Sequence, residues 1–162
     1  MVTDALQIVV QPAARDFSEW ERLLKLIIDA FAYMGPRIDP PSSALRLSPQ
    51  SVQAHAQSGT LLLAHRGSDL VGCLFLHQKN DALYIGKFAV SPTLQHAGIG
   101  RKLMEAARGE ARRRGIRTLE LETRIELTEN HAAFARMGFV KTAETSHKGF
   151  DRPTSIVMRA PV

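Results

Sequence analysis

Two glycines, one residue apart, stand at the head of a helical pattern. Gln95-His96-Ala97-Gly98-Ile99-Gly100-Arg101 leads into apolar residues at Leu103, Ala106, Ala107 and Ala111, the spacing of one helix face. A helix start leaves several backbone N–H groups without partners and carries about half a positive charge from the aligned peptide dipoles. With Gly98 and Gly100 at that start, no side chain keeps an anion from those donors, and the backbone becomes a phosphate cradle. The competing reading of a bare Gly-x-Gly is a plain turn into a helix. A dinucleotide-binding fingerprint requires a third glycine where Leu103 stands, and a P-loop requires a closing Gly-Lys-Ser/Thr that is absent.

A strand precedes this turn and the helix follows it. Ala82 to Val90 is rich in aromatic and β-branched residues, as a strand should be. Arg112, Arg113 and Arg114 crowd the last turn of the helix, where cations are favoured, and Gly115 caps it. Upstream, Leu6 to Val10 reads as a strand ended by Pro12. Ser18-Glu19-Trp20-Glu21 reads as a capping box opening a helix that Gly35-Pro36 stops. Gly35 to Leu47 is a long loop rich in proline and serine, of the kind that carries binding residues. Ser48-Pro49 starts a short helix ending near Ser58. Thr60–His65 and Leu70–Leu76 flank a Gly67-Ser68 hairpin turn. Past the glycine-led helix come an alternating strand at Thr118–Thr123, a short helix opened by Thr128-Glu129, and strands at Phe139–Ala143 and Ser155–Met158. The order β-α-α-β-β-β-α-β-α-β-β predicts one α/β unit over residues 1–162, a mixed sheet with helices on both faces.

Gln95-His96-Ala97-Gly98-Ile99-Gly100 resembles the Gln/Arg-x-x-Gly-x-Gly/Ala signature of the GNAT superfamily of acyl-CoA-dependent N-acetyltransferases. Phe88-Ala89-Val90-Ser91-Pro92 resembles the end of that family's fourth strand, and Met137-Gly138-Phe139 its later Gly-Phe element. The resemblance implies six to seven strands, four helices and central strands that splay apart. It implies acetyl-CoA as co-substrate and no metal. The diphosphate would lie on backbone donors among Gln95, His96, Ala97, Gly98, Ile99, Gly100 and Arg101, and the pantetheine arm along the main chain of Phe88, Ala89 and Val90, as an added strand. Asn130 and Phe134 fall near the family's later cofactor-binding pattern. Phe134 stands where many members carry an acid tyrosine, and Asn130 lies closer to it than that pattern has it; plain helix packing is the competing reading of Phe134.

The acceptor the resemblance implies is an amine, of a small molecule or a peptide, and only its neutral form attacks. A lysine-like amine with pKa about 10.4 is neutral roughly once in 2,500 molecules at pH 7, a cost of about 4.6 kcal/mol. A base must remove that proton, directly or through water. Glu122, near the end of the fifth strand, and Tyr84, on the fourth, are the candidates; a solvated strand carboxylate and a packed phenol are the plainer readings of the two. His147 titrates in the right range but sits alone in a loop.

Size and composition bound the rest. The chain of 162 residues is 44% hydrophobic, with a formal charge of +5 and one cysteine, Cys73. An intrachain disulfide is impossible, and a cytoplasmic setting is the default expectation. No apolar run approaches a membrane span, and the N-terminus lacks a signal-peptide build. Outside Arg112–Arg114 the basic residues are dispersed, with no zinc-finger spacing, helix-turn-helix signal or aromatic-basic interleaving, so nucleic acid is not an expected partner. A non-catalytic acyl-CoA-binding module is the alternative to the transferase, and a homodimer is left open.

Overall fold

The computed structural model describes residues 7–162. Seven strands form one sheet in the order β1-β2-β3-β4-β5-β7-β6: β1 (Ile8–Pro12), β2 (Thr60–Arg66), β3 (Asp69–Lys79), β4 (Ala82–Val90), β5 (Thr118–Arg124), β6 (Val140–Thr145) and β7 (Ser155–Pro161). Four helices cover it: α1 (Trp20–Phe31), α2 (Pro49–Gln57), α3 (Ile99–Arg113) and α4 (Thr128–Arg136). All neighbouring strands are antiparallel except β4 and β5, which run parallel across the α3 crossover.

The near-continuous apolar run of β2 follows from helices on both faces. Leu62 and Ala64 join a core with Ile99, Leu103, Met104, Ala107 and Ala111 of α3. Leu61 and Leu63 turn the other way, to Leu23, Ile27 and Val52 of α1 and α2. Burying Ile99, Leu103 and Met104, all at most 1% exposed, stabilises by about 1.5–3 kcal/mol each. Gly72 lets α3 come this close to β3. A Cβ there would stand 2.9 Å from Ile99 Cγ2 and 3.0 Å from Leu103 Cδ1.

Two local expectations shift. The Ser18–Glu21 capping box does not form: α1 begins at Trp20 with no side-chain cap, and the Glu19 carboxylate takes Arg22 instead at 2.8 Å. With Glu19 as the residue before the helix, Ser18 stands one position too early to cap. The reciprocal box forms at α2, where the Ser48 and Ser51 hydroxyls each accept from the other's backbone N–H. The first strand runs to Pro12, and its expected start at Leu6 lies outside the described residues.

The feature that makes the site is a break in β4. It pairs with β5 only from Leu83↔Leu119 to Ile85↔Leu121. Immediately afterwards, the step from Cys73 to Phe75 on β3 is matched on β4 by Ala89 to Gly86, one residue more. The extra residue is a bulge, with Lys87 in the left-handed region at φ 48°. A bulge bends its strand and reverses the side-chain alternation. Leu83 and Ile85 accordingly pack on the α3 side, and so do Phe88 and Val90, while Ala89 faces α1. From Gly86 onward β4 leaves β5, and the central strands splay.

Candidate active site

The mouth of α3 opens onto that gap. Gly98 caps the helix with φ 84°, a conformation that costs an L side chain about 1–2 kcal/mol. His96 is also left-handed, at φ 67°, so the turn reverses tightly before the helix. The first N–H bonded inside the helix is that of Lys102, to the Gly98 carbonyl at 3.1 Å. The amides of Ile99, Gly100 and Arg101 precede it and have no intrahelical acceptor. Nothing lies within 4 Å of a Cβ built on Gly98, whereas one on Gly100 would stand 3.3 Å from Phe88 Cζ. Gln95, His96, Ala97 and Gly98 are all exposed, and Ile99 is buried against Gly72. The mouth is thus an unblocked set of backbone donors on a fixed base, a fit for a diphosphate.

Val90 lies beside it. The Ser91 N–H donates to Val71 of β3 at 2.8 Å, so the polar groups of Val90 point the other way, into the gap. The family resemblance implies a wholly free edge here, and the structure differs in one respect. The Gln95 side-chain amide donates to the Val90 carbonyl at 3.1 Å. Gln95 thereby ties the turn to the strand end and leaves the Val90 N–H as the open group. Phe88 and Phe134 stack across the gap with centroids 6.1 Å apart, and Phe134 meets Phe139 at 5.9 Å.

A cavity of about 320 Å³ continues from the gap, and Tyr84, Phe88, Glu122, Asn130 and Phe134 are among its walls. Glu122 is exposed on β5, accepts from the Thr145 hydroxyl at 2.9 Å and has Lys79 Nζ at 3.9 Å. Tyr84 stands with Lys79 Nζ 5.0 Å above its ring and His77 stacked at 5.1 Å. Desolvation, followed by the charges of Glu122 and Glu120, pushes the phenol up to about 12, so Tyr84 stays protonated at neutral pH and cannot serve as the base. Asn130 pairs with the Tyr33 hydroxyl at 3.1 Å, which points it toward α1 as well as the cavity. His147 also lines the cavity; burial and the nearby Arg124 charge lower its pKa.

Several wall residues come from the proline- and serine-rich segment that the sequence marks as a binding loop, although no single residue of it is marked there. Met34, Ile38, Ser42 and Ser43 descend from the segment between α1 and α2, and Arg124 rises from the end of β5. Polar ties hold that segment down: Arg37 to Glu129 at 2.8 Å, Arg152 to Asp39 at 3.0 Å, and the Asp39 N–H to Glu126 at 3.2 Å. The β4 bulge itself is visible in the sequence as broken alternation between Ile85 and Phe88.

The family model described as Acetyltransferase (GNAT) family matches residues 20–139. The chain belongs to that family. It is therefore an acyltransferase. A relative in Azospirillum brasilense named IAA acetyltransferase is 31% identical over 103 residues, 62% of this chain and 67% of that protein. Among solved structures, the PaiA N-acetyltransferase of Thermoplasma acidophilum in complex with coenzyme A superposes with a TM-score of 0.78 at 15% identity, covering 96% of this chain and 99% of that one. A GNAT acetyltransferase from Elizabethkingia anophelis with acetyl-CoA bound gives 0.70 at 19% identity over 96% and 98%. At these identities the structural likeness speaks for the fold alone. No helix among the described residues is long and apolar enough to cross a membrane, and no cluster of metal-ligating side chains occurs among them.

Proposed function

We propose that the chain, acting as one catalytic unit, transfers an acetyl group from acetyl-CoA to a primary amine by direct attack within a ternary complex. The observation that carries this reading is the opening of the α3 mouth onto a sheet that unzips after Ile85 and Leu121. Acetyl-CoA supplies an acyl thioester already activated toward nucleophiles. The chain's part is to hold, align and deprotonate.

The amides from Gly98 to Arg101 hold the diphosphate, with Gln95, His96 and Ala97 shaping the turn. The Val90 N–H and the bent Phe88–Val90 backbone guide the arm into the gap. Phe88 and Phe134 form the apolar wall that keeps water from the thioester. Asn130, fixed by Tyr33, stands at the rim. Glu122 takes the proton from the incoming ammonium, directly or through one water. The Tyr84 hydroxyl, protonated throughout, orients that water by donating to it. No hydroxyl occupies the place of Phe134, so the thiolate departs without a protein acid there. With a thiol pKa near 8–9 it is a tolerable leaving group. Direct attack is supported by the state of Cys73, the one cysteine: it is buried, and desolvation pushes its thiol up to about 12, which disqualifies it as a nucleophile.

The test is thiol release from acetyl-CoA with an amine panel, with the product identified by mass. An N-acetylated amine and intersecting initial-rate patterns are expected. Tight acetyl-CoA binding with no amide from any amine would overturn the transferase reading. Parallel rate patterns would instead overturn direct attack.

A further inference from the structure

Arg124 lies two residues beyond Glu122 on β5, on the same side of the strand and about 7 Å further along. It lines the same cavity. Its guanidinium is only half engaged. Nη2 donates to the carbonyls of Pro40 and Pro41, the latter at 3.0 Å, whereas Nη1 is buried without any hydrogen-bond partner. Arginines with buried guanidinium nitrogens ordinarily meet a carboxylate, and among the described residues no carboxylate oxygen lies within salt-bridge distance of this half-buried one. Glu126 and Asp39 attract it only through space, and Arg152 repels it. Glu126 Oε2 accepts the Asp39 N–H while its Oε1 is itself buried without a partner, and Asp39 binds Arg152. Desolvation consequently lowers the Arg124 pKa. Around it the cavity offers the hydroxyls of Ser42, Ser43 and Ser155, all neutral, and the His147 ring, whose Nδ1 lies 2.5 Å from the Thr154 hydroxyl.

A cation with one unpartnered guanidinium nitrogen thus stands one strand repeat from a carboxylate, on the wall of a cavity sized for a small molecule. We propose that Arg124 sets acceptor specificity: the acceptor is an amino-carboxylate, its amine facing Glu122 and its carboxylate bound by the Arg124 guanidinium. This rests on the transferase reading above. It predicts discrimination against bare amines and polyamines, which leave Arg124 unpaired and place a second cation near it.

The experiment compares matched pairs, L-phenylalanine with phenethylamine and L-lysine with cadaverine, on the full chain. Turnover is measured with acetyl-CoA, and binding to the CoA-saturated protein by calorimetry. The carboxylated member should lead by roughly tenfold or more in both, the discrimination expected of a charge-assisted hydrogen bond. In Arg124→Met the ratio within each pair should fall toward one, and Arg124→Lys should restore part of it. A residue that merely ties down the Pro40–Pro41 loop would lower both members equally and leave the ratio intact, which would overturn the assignment. O-phosphoethanolamine outperforming every amino acid would overturn the choice of carboxylate. If no amine is acetylated, the transferase reading fails, and the binding ratio still decides this inference: preference for the carboxylated members upholds it, and equal or absent binding overturns it.

Discussion

On the function proposed above, the binding groups at the mouth of α3 are backbone amides supplied by neighbouring residues, Gly98 to Arg101. The opposite end of the cleft is lined by Arg124 and Asn130 and braced by pairings behind them, Asn130 with Tyr33 and Arg152 with Asp39, the latter across 113 residues of sequence. The first end is a local conformation, one left-handed glycine and a helix start. The second is a set of side-chain pairings that exist only once the sheet has formed.

The hardest blow to this comparison is Gly98→Val. The φ of 84° is strained for valine, and the new side chain would occupy the open mouth. The fold should survive, because nothing else lies within 4 Å of that site, while stabilisation by acetyl-CoA in a thermal shift falls below detection. Undiminished stabilisation would show that the donor end is not built from that turn. Gly100→Val should act in the same direction through the 3.3 Å approach to Phe88.

Glu122→Gln comes next. It should lower kcat by about a hundredfold, the scale of a general base, with acetyl-CoA affinity unchanged by calorimetry. Equal loss in both would mean that Glu122 belongs to the donor end or to folding.

How far each end could be read in advance follows from the same contrast. Gly98, the strand before it and the apolar stripe of α3 are neighbours in sequence, so their geometry is legible there. The two-sided core is legible in the order of the elements and the apolar run of β2, whereas the strand order, with β7 between β5 and β6, is set by long-range pairing that no local pattern carries. Arg124 is different. Nothing in Thr118–Arg124 distinguishes a surface arginine from one half-buried against Pro40 and Pro41, because the contact is imposed by a loop about 80 residues away. The capping box at Ser18 fails for a related reason: its pattern is correct, but α1 starts one residue later than the pattern requires.

A smaller effect sharpens the role of Tyr84. Its folded pKa, about 12, lies above the ordinary value of 10.0. Folding therefore favours the protonated phenol, and this contribution is complete below pH 10 and lost as pH rises toward 12. Urea midpoints should fall between these values, and Tyr84→Phe should make the fall shallower. An identical slope in the variant would show that Tyr84 is not desolvated. Smallest of all is Arg37→Ala. Its pair with Glu129 is exposed, so the melting temperature and acetyl-CoA affinity should stay unchanged, with only the acceptor KM rising a few-fold. Weakened acetyl-CoA binding would mean that the two ends are not separable.

The most direct measurement follows individual backbone amides by two-dimensional NMR while coenzyme A is titrated into the protein. The N–H signals of Gly98, Ile99, Gly100 and Arg101 should shift furthest and saturate together, with the Val90 N–H moving alongside them. Saturable binding that leaves these five signals in place would contradict the account.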